Sequence, residues 1–189
     1  MNEQTKKTLL GGVFLVLIIG NIILGMSLFN IKSNNSCSLI KDIFYYEQLE
    51  NEIAEESSEI YDYYAMSSEA YDVNDFQDTI YYCEQSRKKS NTYSQKLREI
   101  KAKYPEEPSE ILELRLEMLD TEIEYLFVLY QACEYTESAA RAYEKGEYTS
   151  GDINIEGQNE QIVIHDNTVE KYFNLDAEYQ QLKKEIMLS

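Results

Sequence analysis

The order of apolar and polar residues divides the chain into one apolar segment and a longer amphipathic region. Residues 9–29 form a continuous apolar run without a charged side chain. Beyond this run, apolar residues recur every three or four positions, which is typical of helices that bury one face. The spacing predicts four helices, at 38–71, 75–104, 109–145 and 158–187.

The third predicted helix has the most regular apolar stripe. Its members are Leu112, Leu116, Leu119, Ile123, Leu126, Tyr130, Cys133 and Ala140. Short connections between long helices make neighbours antiparallel. The predicted fold class is therefore all-α, with a single N-terminal transmembrane helix followed by an elongated antiparallel four-helix bundle. Residues 148–157 contain Gly151 and Gly157, so the pattern leaves a loop, a frayed turn or a helical continuation open there.

A short internal repeat marks two of the predicted corners. Residues 70–76 (AYDVNDF) and 142–148 (AYEKGEY) share Ala-Tyr, three residues, an acid and an aromatic residue. Each copy lies where one long helix gives way to the next. The pattern resembles the hairpin turn of tetratricopeptide repeats, but the copies are 72 residues apart, twice that family's unit. It therefore indicates two helical hairpins and no membership of that family.

The apolar run at 9–29 is long enough to be a membrane helix. At 1.5 Å per residue it spans roughly 30 Å, the thickness of the hydrocarbon core. Lys6 and Lys7 precede it, and the positive-inside rule places them in the cytoplasm. The predicted order is a cytoplasmic tail at 1–8, the membrane helix at 9–29, a linker at 30–37 and an extracytoplasmic domain at 38–189. A cleaved signal peptide is the alternative, although its apolar region is usually shorter.

Two polar or small residues within the apolar run share one helix face. Asn21 and Gly25 are four positions apart, which permits close helix approach and a hydrogen bond between helices. They are candidates for self-association in the membrane. The alternative is one tolerated amide in a simple anchor.

The charge of the chain excludes one class of partner. The formal net charge is −18, and almost all acidic residues follow residue 37. Such a surface repels phosphate backbones, so we expect no binding to nucleic acid.

The three cysteines have different candidate roles. Cys83 and Cys133 lie at similar distances on either side of the corner near residue 106, so they are candidates for a disulfide across the hairpin. Two buried free thiols are the equal alternative. Cys37 follows the membrane helix and is a candidate for an interchain disulfide or for acylation, or has no such role.

No catalytic or metal-binding pattern is present, and we expect no cofactor. His165 is the only histidine, which excludes a di-iron site built from two Glu-x-x-His helices. It falls in the apolar stripe of the fourth helix, where a hydrogen-bonded core residue is the expected role and a ligand the alternative.

Tyrosines are concentrated in the first half of the domain, and adjacent ones cannot all face one core. We expect some to point outward as an interaction surface, since tyrosine is enriched at interface hot spots; packing with only the hydroxyl in water is the alternative. The candidates are Tyr45, Tyr61, Tyr63, Tyr81 and Tyr82.

These observations predict a non-enzymatic, membrane-anchored module that contacts an unknown protein partner or forms a homo-oligomer. A sensor-like bundle belongs to the same class. The alternative function is an enzyme, or a bundle that binds a small ligand or metal in a polar pocket near His165.

Overall fold

The structure is a computed structural model that describes residues 34–188, with side chains described from Ser38. It confirms the all-helical fold class and the helical bundle, and the described part of the chain contains no strand. Five helices follow in order: α1 (Asn34–Asn51), α2 (Ala54–Asp72), α3 (Phe76–Lys101), α4 (Glu110–Glu144) and α5 (Tyr148–Leu188). The third predicted helix, which has the most regular apolar stripe, corresponds to α4, whose 35 residues extend about 50 Å.

The first predicted helix is divided into α1 and α2, which together take the place of the first of the four predicted helices. Around residue 53 the hydrogen bonds shorten from a four-residue to a three-residue spacing. The amide of Ile53 donates to the carbonyl of Glu50 (3.1 Å), and the amide of Glu56 donates to the carbonyl of Ile53 (3.0 Å). Such a tight turn is a 3₁₀-type interruption. No proline or glycine causes it, which explains why the sequence predicted one continuous helix.

The two repeated segments form equivalent turns, α2–α3 and α4–α5. Each turn contains one residue with positive φ, Asn74 at 60° and Gly146 at 78°. Asparagine and glycine are the residues that adopt this left-handed conformation most readily. In each turn the residue after the one with positive φ donates its amide proton to the carbonyl of the repeat's alanine. These hydrogen bonds run from Asp75 to Ala70 and from Glu147 to Ala142, both at 2.9 Å, and they cap the C-terminal ends of α2 and α4. The sequence repeat is therefore also a repeat of backbone geometry.

Residues 148–157 are helical, so of the three alternatives the continuation of the last helix is correct. Both glycines in this segment face tyrosine rings on α4. A Cβ atom at Gly151 would lie 2.6 Å from the Tyr143 ring, and one at Gly157 would lie 2.6 Å from the Tyr135 ring. The glycines thus allow α5 to approach α4 closely, a tertiary reason for residues that weaken a helix locally.

The core runs along the bundle axis in two clusters. The central cluster joins α2, α3, α4 and α5 around Ile60, Leu97, Leu119 and Leu126. The second cluster joins α1, α4 and α5 near the first residues of α1 and α4 and the last residues of α5; its buried members include Ile43, Ile111 and Met118. Close backbone approach is concentrated between consecutive helices, and long side chains bridge α5 to α1 and α2.

Within residues 34–188, none of the helices combines the length and the apolar character needed to cross a bilayer. The predicted tail at 1–8 and membrane helix at 9–29 lie outside the described residues, as do Asn21 and Gly25. Helix α1 begins at Asn34, so the last four residues of the predicted linker at 30–37 are helical.

Candidate functional site: buried acids and their partners

Three glutamates on the inner faces of α1 and α4, Glu47, Glu50 and Glu122, place acidic groups within the core of the bundle. Glu47 is 6% exposed and Glu122 is 9% exposed, while the side chain of Glu50 is 13% exposed. Burying a carboxylate is costly unless it gains hydrogen bonds or a cation. The partners of these three groups therefore decide what each can do.

Glu47 binds a lysine from the far end of the chain. The ammonium of Lys183 on α5 donates to both carboxylate oxygens, at 2.6 and 2.8 Å. The hydroxyl of Tyr179, one helical turn earlier, donates to Oε1 at 2.9 Å. Lys183 is 4% exposed, so the pair is removed from solvent. This contact fastens α1 to α5.

Glu50 binds an arginine in the same region. The guanidinium of Arg115 on α4 donates through Nε to Oε1 (3.1 Å) and through Nη2 to Oε2. The hydroxyl of Tyr104 donates to Oε1 at 3.0 Å. The guanidinium carbon also lies 4.9 Å from the centre of the Tyr179 ring, so the two charged pairs are contiguous.

Glu122 differs because its hydrogen-bond donors are neutral. The hydroxyl of Tyr93 on α3 donates to Oε1 at 3.0 Å, and the hydroxyl of Tyr125 also bonds to this carboxyl. Burial, and next the charge of Glu50, raise the pKa of Glu122 to about 7. Glu122 is therefore a carboxyl group that carries a proton over part of the neutral pH range.

His165 lies on the inner side of α5, as its position in the apolar stripe predicts. Its Nε2 is 3.3 Å from the hydroxyl of Tyr61, and its Nδ1 is 3.3 Å from Oδ1 of Asp166. The ring of Tyr125 packs edge-on against the imidazole, with centroids 5.9 Å apart. Burial lowers the pKa of His165, so the imidazole is neutral at pH 7. The expected hydrogen-bonded core histidine is confirmed.

Cys83 and Cys133 meet between α3 and α4 as two buried free thiols that hydrogen-bond to each other. Contacts on both sides fix this register, because Arg87 reaches Tyr130 (3.0 Å) and Tyr93 reaches Glu122. The spatial pairing inferred from the sequence is thus present, in the thiol form. The side chain of Cys37 lies outside the described side chains.

The candidate tyrosine surface divides into outward and inward members. Tyr45 and Tyr81 are each 51% exposed. Tyr63 and Tyr82 are partly buried and contact each other, with ring centroids 6.4 Å apart. The prediction that Tyr61 points outward is wrong, since its ring packs on the central cluster and its hydroxyl faces His165.

The acidic, cysteine and histidine side chains of the described residues do not cluster as metal ligands do. Within residues 34–188, no group of three or more Cys, His, Asp or Glu side chains is placed to hold a metal ion. A surface groove of about 330 Å³ lies elsewhere, on the outer side of α4. Its lining includes Arg87, Gln131, Glu134, Tyr135 and Asn154.

Sequence reasoning missed the buried ionic groups, although a signal was present. Arg115 and Glu122 each interrupt the apolar stripe of α4 at core spacing, and Lys183 lies one turn from Tyr179. A charged residue within such a stripe indicates a buried partner. The stripe does not say which residue that partner is.

Comparison with protein-family models, with curated proteins and with solved structures finds no match to this chain.

Proposed function

We propose that this chain is a membrane-anchored, extracytoplasmic helical module that binds a protein partner or a second copy of itself and has no catalytic role. The observation that carries the proposal is a set of large apolar side chains on an acidic surface. Examples are Tyr45 and Tyr81 at 51% exposure, Phe127 at 57% and Tyr148 at 67%. Aromatic side chains in contact with water are the usual anchors of protein interfaces.

The buried polar groups support the same proposal by a different route. Glu47 and Glu50 each bind a cation of this chain, and His165 is held by Tyr61 and Asp166. Groups that satisfy one another hold helices in register, whereas an active site presents its groups to a substrate. This is why we favour an interaction module over an enzyme with a pocket at His165.

The net charge of −18 sets the chemistry of the partner. Complementary potentials steer association, so we propose a partner surface that is basic around an apolar centre. For a second copy of this chain, like charges would repel, and binding would have to rest on the exposed aromatic side chains and strengthen with salt.

Site-specific photo-crosslinking in native membranes tests the proposal. A photoreactive phenylalanine analogue at Tyr81 should give a discrete crosslinked species, because that side chain is exposed and aromatic. The same analogue at Asn91, an exposed polar position on the same helix, is the control and should give none. Absence of a discrete species at Tyr45, Tyr81 and Phe127 alike would contradict the proposal.

Membrane attachment needs its own test. We expect the full-length chain in the membrane fraction, released by detergent and not by high salt or alkali. Protease added outside intact cells should digest the helical domain after permeabilisation of any outer barrier. A full-length chain found soluble inside the cell would contradict the anchored, extracytoplasmic arrangement.

A further inference from the structure

A chain of hydrogen bonds leads from the surface of α5 to the buried carboxyl group of Glu122. It begins at the carboxylate of Asp166, which is 74% exposed, and passes to Nδ1 of His165 at 3.3 Å. The other ring nitrogen, Nε2, is 3.3 Å from the hydroxyl of Tyr61. The hydroxyl of Tyr61 bonds to that of Tyr125, which bonds to Glu122.

We propose that Glu122 is a proton-binding site in the core of the bundle, and that His165, Tyr61 and Tyr125 form the path by which it exchanges its proton with solvent. The imidazole and both hydroxyl groups can each donate and accept a hydrogen bond, which a proton relay requires. The path crosses from α5 to α2 and then to α4. This inference goes beyond the proposed function and holds with or without a binding partner.

Proton release is balanced when each bond in the path shifts by one step. In the neutral ring of His165, Nδ1 carries the proton and donates to Asp166, and Nε2 accepts from Tyr61. The proton of Glu122 moves to the hydroxyl oxygen of Tyr125, and the hydroxyl proton of Tyr125 moves to Tyr61. The hydroxyl proton of Tyr61 moves to Nε2 of His165, and the Nδ1 proton passes by way of Asp166 to water. One proton therefore leaves Glu122 and one reaches solvent, while every intermediate group ends with the number of protons it had; uptake is the reverse.

The groups around Glu122 explain why this carboxyl would exchange protons near neutral pH. It faces Glu50 from α1, Tyr61 from α2, Tyr93 from α3 and Tyr172 from α5, with Arg115 and Tyr125 on its own helix. Arg115 is engaged by two bonds to Glu50 and does not neutralise Glu122. Burial and the charge of Glu50 raise the pKa of Glu122 to about 7.

Infrared spectroscopy of the full-length chain in dodecyl maltoside, a detergent without a carbonyl group, tests the proton site. At pH 6 exposed carboxylates are ionised, so the C=O stretching band of a protonated acid should correspond to one group per chain. The band should fall about tenfold between pH 6 and pH 8, since the pKa is about 7, and should be absent at pH 6 in Glu122→Gln. Lack of the band in the wild type at pH 6, or its persistence in a folded Glu122→Gln variant, would overturn the proposal.

The path has a separate kinetic test. On rapid mixing with ²H₂O at pH 6, the band shifts as the acid proton is replaced. Tyr61→Phe keeps the ring and removes the hydroxyl, so we expect this shift to slow at least tenfold. Tyr63→Phe, two residues away and outside the path, is the control and should exchange as the wild type does. Equal rates in Tyr61→Phe and the wild type would overturn the path, even with Glu122 protonated.

Discussion

The buried pair Glu47–Lys183 offers the sharpest test of how the bundle is closed. These residues lie 136 positions apart, and their side chains are 8% and 5% exposed. Lys183→Met removes the ammonium and leaves the carboxylate buried with one donor, the hydroxyl of Tyr179. Removing one partner of a buried ion pair typically costs about 3–5 kcal/mol. A domain of this size is stable by roughly 5–15 kcal/mol, so much of the stability would be lost.

The double variant separates the pair from its individual members. Replacing both partners by apolar residues, Glu47→Leu with Lys183→Met, removes both buried charges at once. We expect this variant to lie within about 2 kcal/mol of the wild type, since apolar replacement of buried pairs is often neutral. The hydroxyl of Tyr179 loses its acceptor, which accounts for about 1 kcal/mol of that margin. The double variant should therefore be more stable than either single variant.

Urea unfolding of the full-length chain in dodecyl maltoside, followed by far-UV circular dichroism and tyrosine fluorescence, measures these free energies of unfolding. Coincident curves from both probes establish two-state behaviour. The exposed pair Glu117–Lys171, 3.3 Å apart with side chains 53% and 51% exposed, is the matched control. Its removal should cost less than about 1 kcal/mol. If Lys183→Met costs no more than this control, or if the two single effects simply add, the reasoning is refuted.

Three further predictions follow from the core. The pKa of Glu122 is about 7 in the folded state against an ordinary 4.5, so the folded state binds its proton more tightly than the unfolded state does. The free energy of unfolding of the wild type, relative to Glu122→Gln, should therefore fall by about 3 kcal/mol as the pH rises from 4.5 through 7. A difference between the two proteins that stays constant with pH in urea unfolding would contradict this. Oxidation by a disulfide donor should join Cys83 to Cys133 and raise the melting temperature. Intact-mass measurement after thiol alkylation should show two fewer free thiols, and exclusively intermolecular disulfides would disprove the pairing of these two residues. Gly151→Ala should lower the free energy of unfolding by about 1–2 kcal/mol, because the ring of Tyr143 that it faces is packed among other aromatic side chains. Gly157→Ala should cost less, because the ring of Tyr135 that it faces is 37% exposed; equal effects would contradict this explanation.

The helices and their hairpin order are largely readable from the sequence. Apolar residues at three- and four-residue spacing predicted α4 within one residue at each end. The repeated Ala-Tyr segments marked the two turns, where Asn74 and Gly146 occupy equivalent left-handed positions. These features depend on neighbours within a few residues, and such local preferences are written directly in the order of side chains.

The pattern misled where the backbone departs from a regular helix. The tight turn at residue 53 has no proline or glycine, so the sequence predicted one continuous helix where the structure has two. Tyr61, which follows the fully buried Ile60, packs against the central cluster, whereas Tyr45 and Tyr81 are exposed. At Gly151 the pattern left a loop, a frayed turn and a helix open, because the reason for this glycine is close packing against Tyr143 in another helix.

The sequence by itself determined an acidic, all-helical chain and the approximate limits of its helices, and it made Cys83 and Cys133 candidates for a contact across one hairpin. Only the tertiary structure decided that Glu47 binds Lys183, that Glu50 binds Arg115, and that Glu122 is left with tyrosine hydroxyls alone. The reason is physical. Helix formation depends on residues three or four positions apart, whereas the protonation state of a buried carboxyl depends on which distant cations and hydroxyls the packed helices bring within 3 Å.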